Sequence, residues 1–361
     1  MNEYEAIGLM SGTSCDGLDI AACRFYSHHD NWKYELIASE TLPYSDKMRS
    51  MLINCVNLSA LEIAQLDIEL GTFFGEKAKQ FMEKHKLDPF VISSHGHTVF
   101  HQPDKKITLQ IGNGLEINRI TKSTVVNNFR QLDVLNGGQG APLVPLGEKY
   151  LFNEYAFCLN TGGFANISFE TNANRNAFDI CPVNIVMNQI VSKIGLEYDE
   201  GGKLASNGSL LPELLKELND LKYYKSDFPK SLGKEWVDEN ILPLITNPEN
   251  STEDLLHTYC HHIGIQISDS IFKHASNVKG DKILITGGGA RNTFLMECIK
   301  KYLHTGIEMV IPKDNILDFK EAIIFAFLGL LRMLNKTNIL KSVTGSSMDS
   351  SSGIIISNSS K

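Results

Sequence analysis

Positive charge is in short supply. Against 42 aspartates and glutamates stand 34 lysines and arginines, a net charge of −8 over 361 residues. That opposes non-specific binding to nucleic acid, whose phosphates select basic faces. It leaves room for a locally positive site that takes an anion. Paired cysteines are also lacking. The seven (Cys15, Cys23, Cys55, Cys158, Cys181, Cys260, Cys298) are odd in number and none lies in a CxxC pair. Free thiols in a reducing compartment fit best. The longest apolar run, Ala322–Leu331, is about half of what a membrane-spanning helix needs. Met1–Glu5 is acidic and has no apolar stretch, unlike a signal peptide. The expectation is a cytoplasmic protein. Equally missing are the GK[ST] ending of a Walker A loop, a GxGxxG that opens a helix, an HExxH pair and the Cys/His spacings of zinc sites.

What is present suits a sizeable core. Apolar residues make up 42% and charged residues 21%, ordinary for a globular protein, and the length suits two domains or one bilobal unit. Ala6–Met10 and Leu18–Phe25 read as a hairpin around the turn-rich Ser11–Gly17, with a further strand over Trp32–Leu42. Ser59-Ala60-Leu61-Glu62 is a capping box. Ile63, Leu66, Leu70, Phe74, Ala78 and Phe81 follow it at helical spacing, predicting a long helix that ends near Leu87. Strands are expected over Phe90–Ser93, Ile107–Ile111 and Thr124–Asn128. Asn136–Pro142 is Gly-rich and reads as a hinge or domain junction. Beyond it the strand–turn–strand grammar returns at Phe157–Leu159, Asn160–Gly163 and Ala165–Phe169, then a strand ends at Asp179. Helices are expected over Pro182–Ile194, around Leu255–Ile271, from Thr293, and over Phe319–Asn335. Asp199–Ser209 reads as a polar loop. The pattern predicts two α/β lobes facing a cleft, without a residue-level repeat.

Three glycine-rich turns carry the chemistry. In Gly8-Leu9-Met10-Ser11-Gly12-Thr13-Ser14-Cys15-Asp16-Gly17-Leu18-Asp19, glycines uncover backbone N–H groups and hydroxyls add donors, as a phosphate needs. Asp16 and Asp19 could hold Mg²⁺ directly or through water. The bland alternative is a hairpin turn with a polar cap. Asn160-Thr161-Gly162-Gly163 has the same grammar, with a tight turn as its alternative. In Ile285-Thr286-Gly287-Gly288-Gly289-Ala290-Arg291-Asn292 a strand runs into a helix. There three glycines admit a flat ligand, and Asn292 also suits an N-cap. Two phosphate-type hairpins followed by a late Gly-Gly-Gly turn resemble the nucleotide site of the actin/hexokinase/Hsp70-like superfamily. That resemblance implies phosphates at the hairpins and adenosine at the late turn. The superfamily's acidic residue before the first Gly-Thr is absent, with Met10-Ser11 in its place.

Asp179, at a strand end before a helix, is either a general base or a helix N-terminal acid held by the dipole. His95 and His97, in the polar segment Ser94–Thr98, and the nearby His101 read as hydrogen-bonding wall residues rather than metal ligands. Arg130 could clamp a carboxylate or form a surface ion pair.

Taken in order, the blocks Gly8–Asp19, Ser94–Pro103, Thr108–Gly114, Asn128–Pro145, Leu159–Ser168, Phe178–Asn184, Tyr198–Gly208, Pro229–Trp236, Thr286–Asn292, Lys320–Leu328 and Val343–Ser346 resemble the anhydro-N-acetylmuramic acid kinase family along nearly the whole chain. The resemblance implies a two-lobed actin/hexokinase-like (ribonuclease H-like) ATPase fold with a central cleft. The expected lobes are 1–135 with about 338–361, and 136–337. It implies ATP and Mg²⁺ as cofactors, and opening and 6-phosphorylation of 1,6-anhydro-N-acetylmuramic acid in cell-wall recycling. Gly12, Thr13, Ser14, Cys15, Asp16, Gly17, Leu18 and Asp19, with Gly162, Gly163, Gly287, Gly288, Gly289 and Asn292, become the ATP contacts. Asp179 becomes the base. His95, His97, Thr98, Arg130 and Asn184 become the substrate contacts. Asp16 and Asp19 are candidate metal ligands. Glu321, acidic in the family pattern too, places metal or water, or is a helix-surface acid. Closure about Asn136–Pro142 and a homodimer are further expectations.

Three departures stand out, the smallest being Cys15 where the family frequently has Leu. The family's common FDTGPGN reads Phe178-Asp179-Ile180-Cys181-Pro182-Val183-Asn184 here, a bulkier loop beside the base. HGQT reads His95-Gly96-His97-Thr98. The altered loop motivates a second reading, a nucleotide-binding sensor of a cell-wall sugar without turnover; a kinase for a related amino sugar is a third. A sugar-responsive repressor would need a DNA-binding module that an acidic chain starting on the phosphate hairpin is not expected to have.

Overall fold

A computed structural model describes all residues except Met1, Thr13, Ser14, Asp30, Ala173, Pro229, Asn277, His304, Thr305 and 359–361. Two of the expected phosphate contacts, Thr13 and Ser14, therefore lie outside the described residues. The chain divides into a discontinuous unit, Met1–Phe152 with Phe319–Lys361, and a continuous one, Asn153–Asp318. The sequence-based division at 135/136 and about 337/338 sits elsewhere. The helices Val144–Leu151 and Asp314–Met333 (from Phe319 on) account for the difference.

In chain order the strands are β1 (Asn2–Ser11), β2 (Gly17–His28), β3 (Asn31–Pro43), β4 (Val91–Ser94), β5 (His97–Gln102), β6 (Ile107–Ile111), β7 (Val125–Asn127), β8 (Phe157–Thr161), β9 (Phe164–Thr171), β10 (Asn174–Pro182), β11 (Lys282–Thr286), β12 (Glu308–Val310) and β13 (Ile354–Ile356). The first unit's main sheet runs β13-β7-β4-β1-β2-β3, and β5 and β6 form a separate hairpin. β1, β2 and β3 are an antiparallel meander, while β4 and β7 run parallel to β1. The second unit's sheet runs β10-β9-β8-β11-β12, again a meander followed by parallel strands. Numbered within each sheet, both have the order 3-2-1-4-5, the ribonuclease H-like arrangement, with one extra strand in the first.

Physical causes are visible locally. The helix Ala60–His85 starts on the expected box: Ser59 Oγ accepts from the Glu62 N–H, and Glu62 returns a bond to the Ser59 N–H. Its apolar stripe, from Leu66 through Phe81, is buried. β4 is buried on both faces, as a parallel strand should be. Gly8, in β1, is needed for packing. A Cβ there would stand 1.8 Å from the Ala322 carbonyl, so only glycine lets the helix Asp314–Met333 lie this close. In the second unit the helix Thr252–Ala275 buries Leu255, Tyr259, Ile263, Ile267 and Ile271.

Some expectations need correction. Asp199–Ser209 is not an open loop, because Glu200–Gly202 and Lys203–Asn207 form helical turns, with the Asp199 carboxylate accepting from the Leu204 and Ala205 N–H groups. Asn136–Pro142 is not at the division between units. It is tied down inside the first unit: the Asp133 carboxylate accepts from the Gly140 N–H, and Gln139 N–H donates to Thr344 O. All seven cysteines are buried and none is in a disulfide. Among the described residues, no helix is long and apolar enough to cross a membrane.

Candidate active site

In the second unit, turns distant in sequence come together because β8 lies between β9 and β11. Gly162 and Gly163 close the β8–β9 hairpin. Their carbonyls accept from the N–H groups of Asn184, Val183 and Ile185, at the start of the helix Asn184–Ser192. Asn184 Nδ2 donates to Thr161 O at 3.2 Å. The Gly287–Gly289 turn sits against the same hairpin. A Cβ on Gly287, whose φ is +86°, would stand 2.2 Å from Asn160 Oδ1, and one on Gly289 would stand 2.7 Å from Thr161 O. Asn184, expected at the sugar, thus lies beside the Gly288 turn. Asn292 is engaged in structure: its Oδ1 caps the helix Thr293–Tyr302 by accepting from Leu295 N–H at 2.9 Å.

Asp179 lies on the edge strand β10, opposite Asn166 of β9 and next to a register shift. Its Oδ2 accepts from the Leu232 N–H at 2.9 Å. Among the described residues Oδ1 has no hydrogen-bond partner, yet it is not a sealed-off buried atom. Burial pushes the carboxyl pKa up, and the Leu232 bond partly opposes this. The departures Ile180, Cys181 and Val183 are all buried in the second unit's core, with the Cys181 thiol near enough to Asp179 to feel its charge.

In the first unit the β1–β2 turn holds the other phosphate candidates. Cys15 adopts a left-handed φ of 55° and its N–H donates to Gly12 O. Gly17 and Leu18 are buried at the start of β2. Asp16 is exposed, 3.7 Å from the Arg49 guanidinium, and Asp19 Oδ1 accepts from Thr41 Oγ1 at 2.6 Å. Ser11, where the superfamily carries an acid, has a role the sequence did not show. Tyr44 O–H donates to Ser11 Oγ at 2.7 Å, and Ser11 Oγ lies 3.0 Å from His97 Nδ1. The Ser11 hydroxyl thus links Tyr44 to the Nδ1 side of the His97 ring.

His95 and Arg130 form a second network. His95 Nδ1–H donates to Gly96 O at 2.8 Å, so Nε2 accepts from Arg130 Nε at 3.0 Å. Burial and the nearby guanidinium hold His95 well below the usual imidazole range. Arg130 Nη1 donates to Gly140 O, so it is no surface ion pair. Thr98 accepts only a long 3.4 Å bond from Gln110. Glu321 is not a solvated helix acid. Burial raises its pKa and the Glu148 carboxylate adds to this, while Lys320 and Arg130 pull it down. Lys320 and Glu148 are themselves a buried pair at 2.8 Å that sequence reading missed.

Among the described residues no group of three His, Cys, Asp or Glu side chains is gathered for a metal ion. That suits Mg²⁺ all the same, because Mg²⁺ keeps waters and binds through one or two carboxylates plus substrate phosphates. Asp16 and Asp19, oxygen donors flanking one turn, are of that kind.

Comparison with known proteins gives this geometry its context. The model of the anhydro-N-acetylmuramic acid kinase family matches residues 4–358. An anhydro-N-acetylmuramic acid kinase of Legionella pneumophila (strain Lens) is 34% identical, with 94% of each chain covered. One from Francisella tularensis subsp. novicida (strain U112) is 33% identical over 96% of this chain and 97% of that one. Likeness to solved structures is weaker: a ROK family glucokinase from Streptomyces griseus in complex with glucose and AMPPNP is 11% identical at a TM-score of 0.41, covering 90% of this chain and 99% of the other. On the family match and these identities over almost its full length, the chain belongs to the anhydro-N-acetylmuramic acid kinase family.

Proposed function

We propose that this chain uses ATP and water to convert 1,6-anhydro-N-acetylmuramic acid into N-acetylmuramic acid 6-phosphate, with Asp179 as the base. The observation that carries the base assignment is a half-satisfied carboxylate. Its Oδ2 is held by an N–H, its Oδ1 is open, and burial raises its proton affinity. A base works best when its pKa approaches the operating pH.

In the proposed sequence Asp179 takes a proton from water, and the water oxygen attacks the anomeric carbon. The C1–O6 bond breaks, its electron pair goes to O6, and O6 takes the γ-phosphoryl group while ADP leaves. Phosphoryl transfer of this kind depends on positioning and electrostatics. Gly12–Asp19, Gly162–Gly163 and Gly287–Gly289 are the proposed nucleotide contacts, offering backbone N–H groups and close approach. His95, His97, Thr98 and Arg130 are the proposed sugar contacts. His95 and Arg130 are fixed by each other, and His97 is held through Nδ1 by Ser11. Asp16 and Asp19, with Glu321 as a further acid, would hold Mg²⁺, which when bound neutralises phosphate charge. Asn184, beside Thr161 and Gly288, is assigned to the nucleotide turns rather than to the sugar. That none of the seven cysteines is in a disulfide supports a reducing, cytoplasmic location.

Turnover in ¹⁸O-labelled water tests the reading. A 6-phosphorylated product labelled at C1, formed only with ATP and lost in Asp179→Asn, is the expected result. Binding of the sugar without any product would instead favour a sensor, and phosphorylation of N-acetylmuramic acid without bridge opening would favour a conventional amino-sugar kinase.

A further inference from the structure

Asp179 is held by more than its strand. β10 is the edge of its sheet, so one side of its backbone has no strand partner. A segment 44 to 53 residues downstream fills that side at this one residue. Asp179 N–H donates to Lys230 O at 3.3 Å. Tyr223 O–H donates to Asp179 O at 2.7 Å. Leu232 N–H donates to Asp179 Oδ2 at 2.9 Å. Backbone donor, backbone acceptor and side chain of one residue are therefore all claimed by the same segment.

The segment is braced in turn. Lys230 Nζ donates to Tyr223 O at 3.3 Å and stands 4.6 Å from the centre of the Tyr223 ring. The Phe228 ring stacks on Phe178 of β10 at 5.5 Å, and beside them lies a cavity of about 280 Å³ lined by Phe178, Ile180, Phe228, Lys230 and His274. The polar contacts at Asp179 add to this packing and set which groups meet that residue.

Resting on the assignment of Asp179 as base, we propose that Tyr223 and Lys230–Leu232 are positioning residues that select Oδ1 as the oxygen that takes the proton. The Leu232 N–H occupies Oδ2 and favours the charged carboxylate, since a hydrogen bond to the ionised form lowers a carboxyl pKa. Removing that N–H raises the pKa of Asp179. The base must be ionised to act, so the acid limb of kcat/KM moves to higher pH. With Oδ2 released, the two oxygens also compete for the attacking water, and kcat falls.

The groups facing Asp179 that bear on its titration are few. They are the Leu232 N–H, the Tyr223 hydroxyl and the buried Cys181 thiol. The Tyr223 and Cys181 pKa values are both raised, chiefly by burial, so neither ionises in the range where the carboxyl does.

The test is the pH profile of kcat/KM for full-length Leu232→Pro, which lacks the N–H, beside Leu232→Ala, which keeps it. The proposal expects the acid limb of Leu232→Pro to move up by about one pH unit, with kcat down about tenfold. Leu232→Ala is expected to keep the wild-type limb. Tyr223→Phe covers the case in which the proline variant does not fold. Its expected signature is a kcat several-fold lower with KM held within about twofold. A folded Leu232→Pro with an unmoved limb, or a Tyr223→Phe enzyme with unchanged kcat, overturns the proposal and leaves the base assignment standing. Full activity in Asp179→Asn would instead overturn the base assignment itself.

Discussion

Asp179 in the second unit and Glu321 in the first are both carboxyls whose burial raises their pKa, but their surroundings differ in kind. Around Glu321 the influences are formal charges: Lys320 and Arg130 favour ionisation and Glu148 opposes it. Around Asp179 the counterweight to burial is a single neutral N–H from a loop. Among cations, formal charges partly offset the burial of Glu321, although its pKa still lies above the ordinary value. A carboxylate steadied by a lone backbone dipole can accept a proton at modest cost. The contrast separates a group suited to electrostatic placement from one suited to proton transfer.

The largest expected effect breaks the comparison at its strongest point. Asp179→Asn should lower kcat by about a thousandfold or more, the range for loss of a general base, whereas Glu321→Gln should cost roughly tenfold because Arg130 and Lys320 remain to order the site. Steady-state kinetics of both variants decides it, and equal losses would mean that Glu321 also takes part in the proton transfer. Next in size is Lys320→Met, which removes the ammonium paired with the buried Glu148 carboxylate. Urea denaturation should show a loss of about 3–5 kcal/mol, largely recovered in a double variant with Glu148→Gln.

Gly287→Ala forces a side chain into a left-handed φ and against Asn160 and Thr161. It should cost about 1–3 kcal/mol and weaken ATP binding, both readable by calorimetry. The smallest effect is a gain. A carboxyl whose folded pKa is raised destabilises the fold once pH rises through that value, and the penalty is absent below the unfolded pKa of about 3.9. Asp179→Asn should therefore have a higher urea midpoint than wild type near neutral pH, with the difference closing toward acid.

The fold was legible wherever burial imposed a period. The Ser59–Glu62 box, the stripe from Leu66 to Phe81 and the paired hairpins all appear where the sequence puts them, because amphipathic spacing and turn residues act locally. The helices Asp46–Ile53 and Gly114–Thr121 had no clear sequence signal, being short and half-exposed. The glycine turns of the second unit were legible one at a time, but that Asn184 stands beside Gly288 follows from β11 pairing with β8, a long-range choice no local pattern encodes. Ser11 was noticed for the acid it replaces, yet its bond to His97 needs Tyr44, 33 residues away. The Leu232 N–H that holds Asp179 is a backbone group, and a loop amide carries no residue-type signature at all. That Ile180, Cys181 and Val183 are buried in the core was not legible, because side-chain direction on a bulged strand is not readable from order alone.

The discontinuous unit also has a bearing on synthesis. The continuous unit is complete once Asp318 has left the ribosome, and its core draws on nothing later. The first unit is translated earlier but lacks the helix residues from Phe319 that Gly8 was kept small to admit, and the strand Ile354–Ile356 that covers β7. During translation, which usually lets domains fold from the N-terminus onward, this chain reverses the order. One face of the N-terminal strands is covered early by the helix Ala60–His85, but the face that takes the helix residues from Phe319 stays open until those are made.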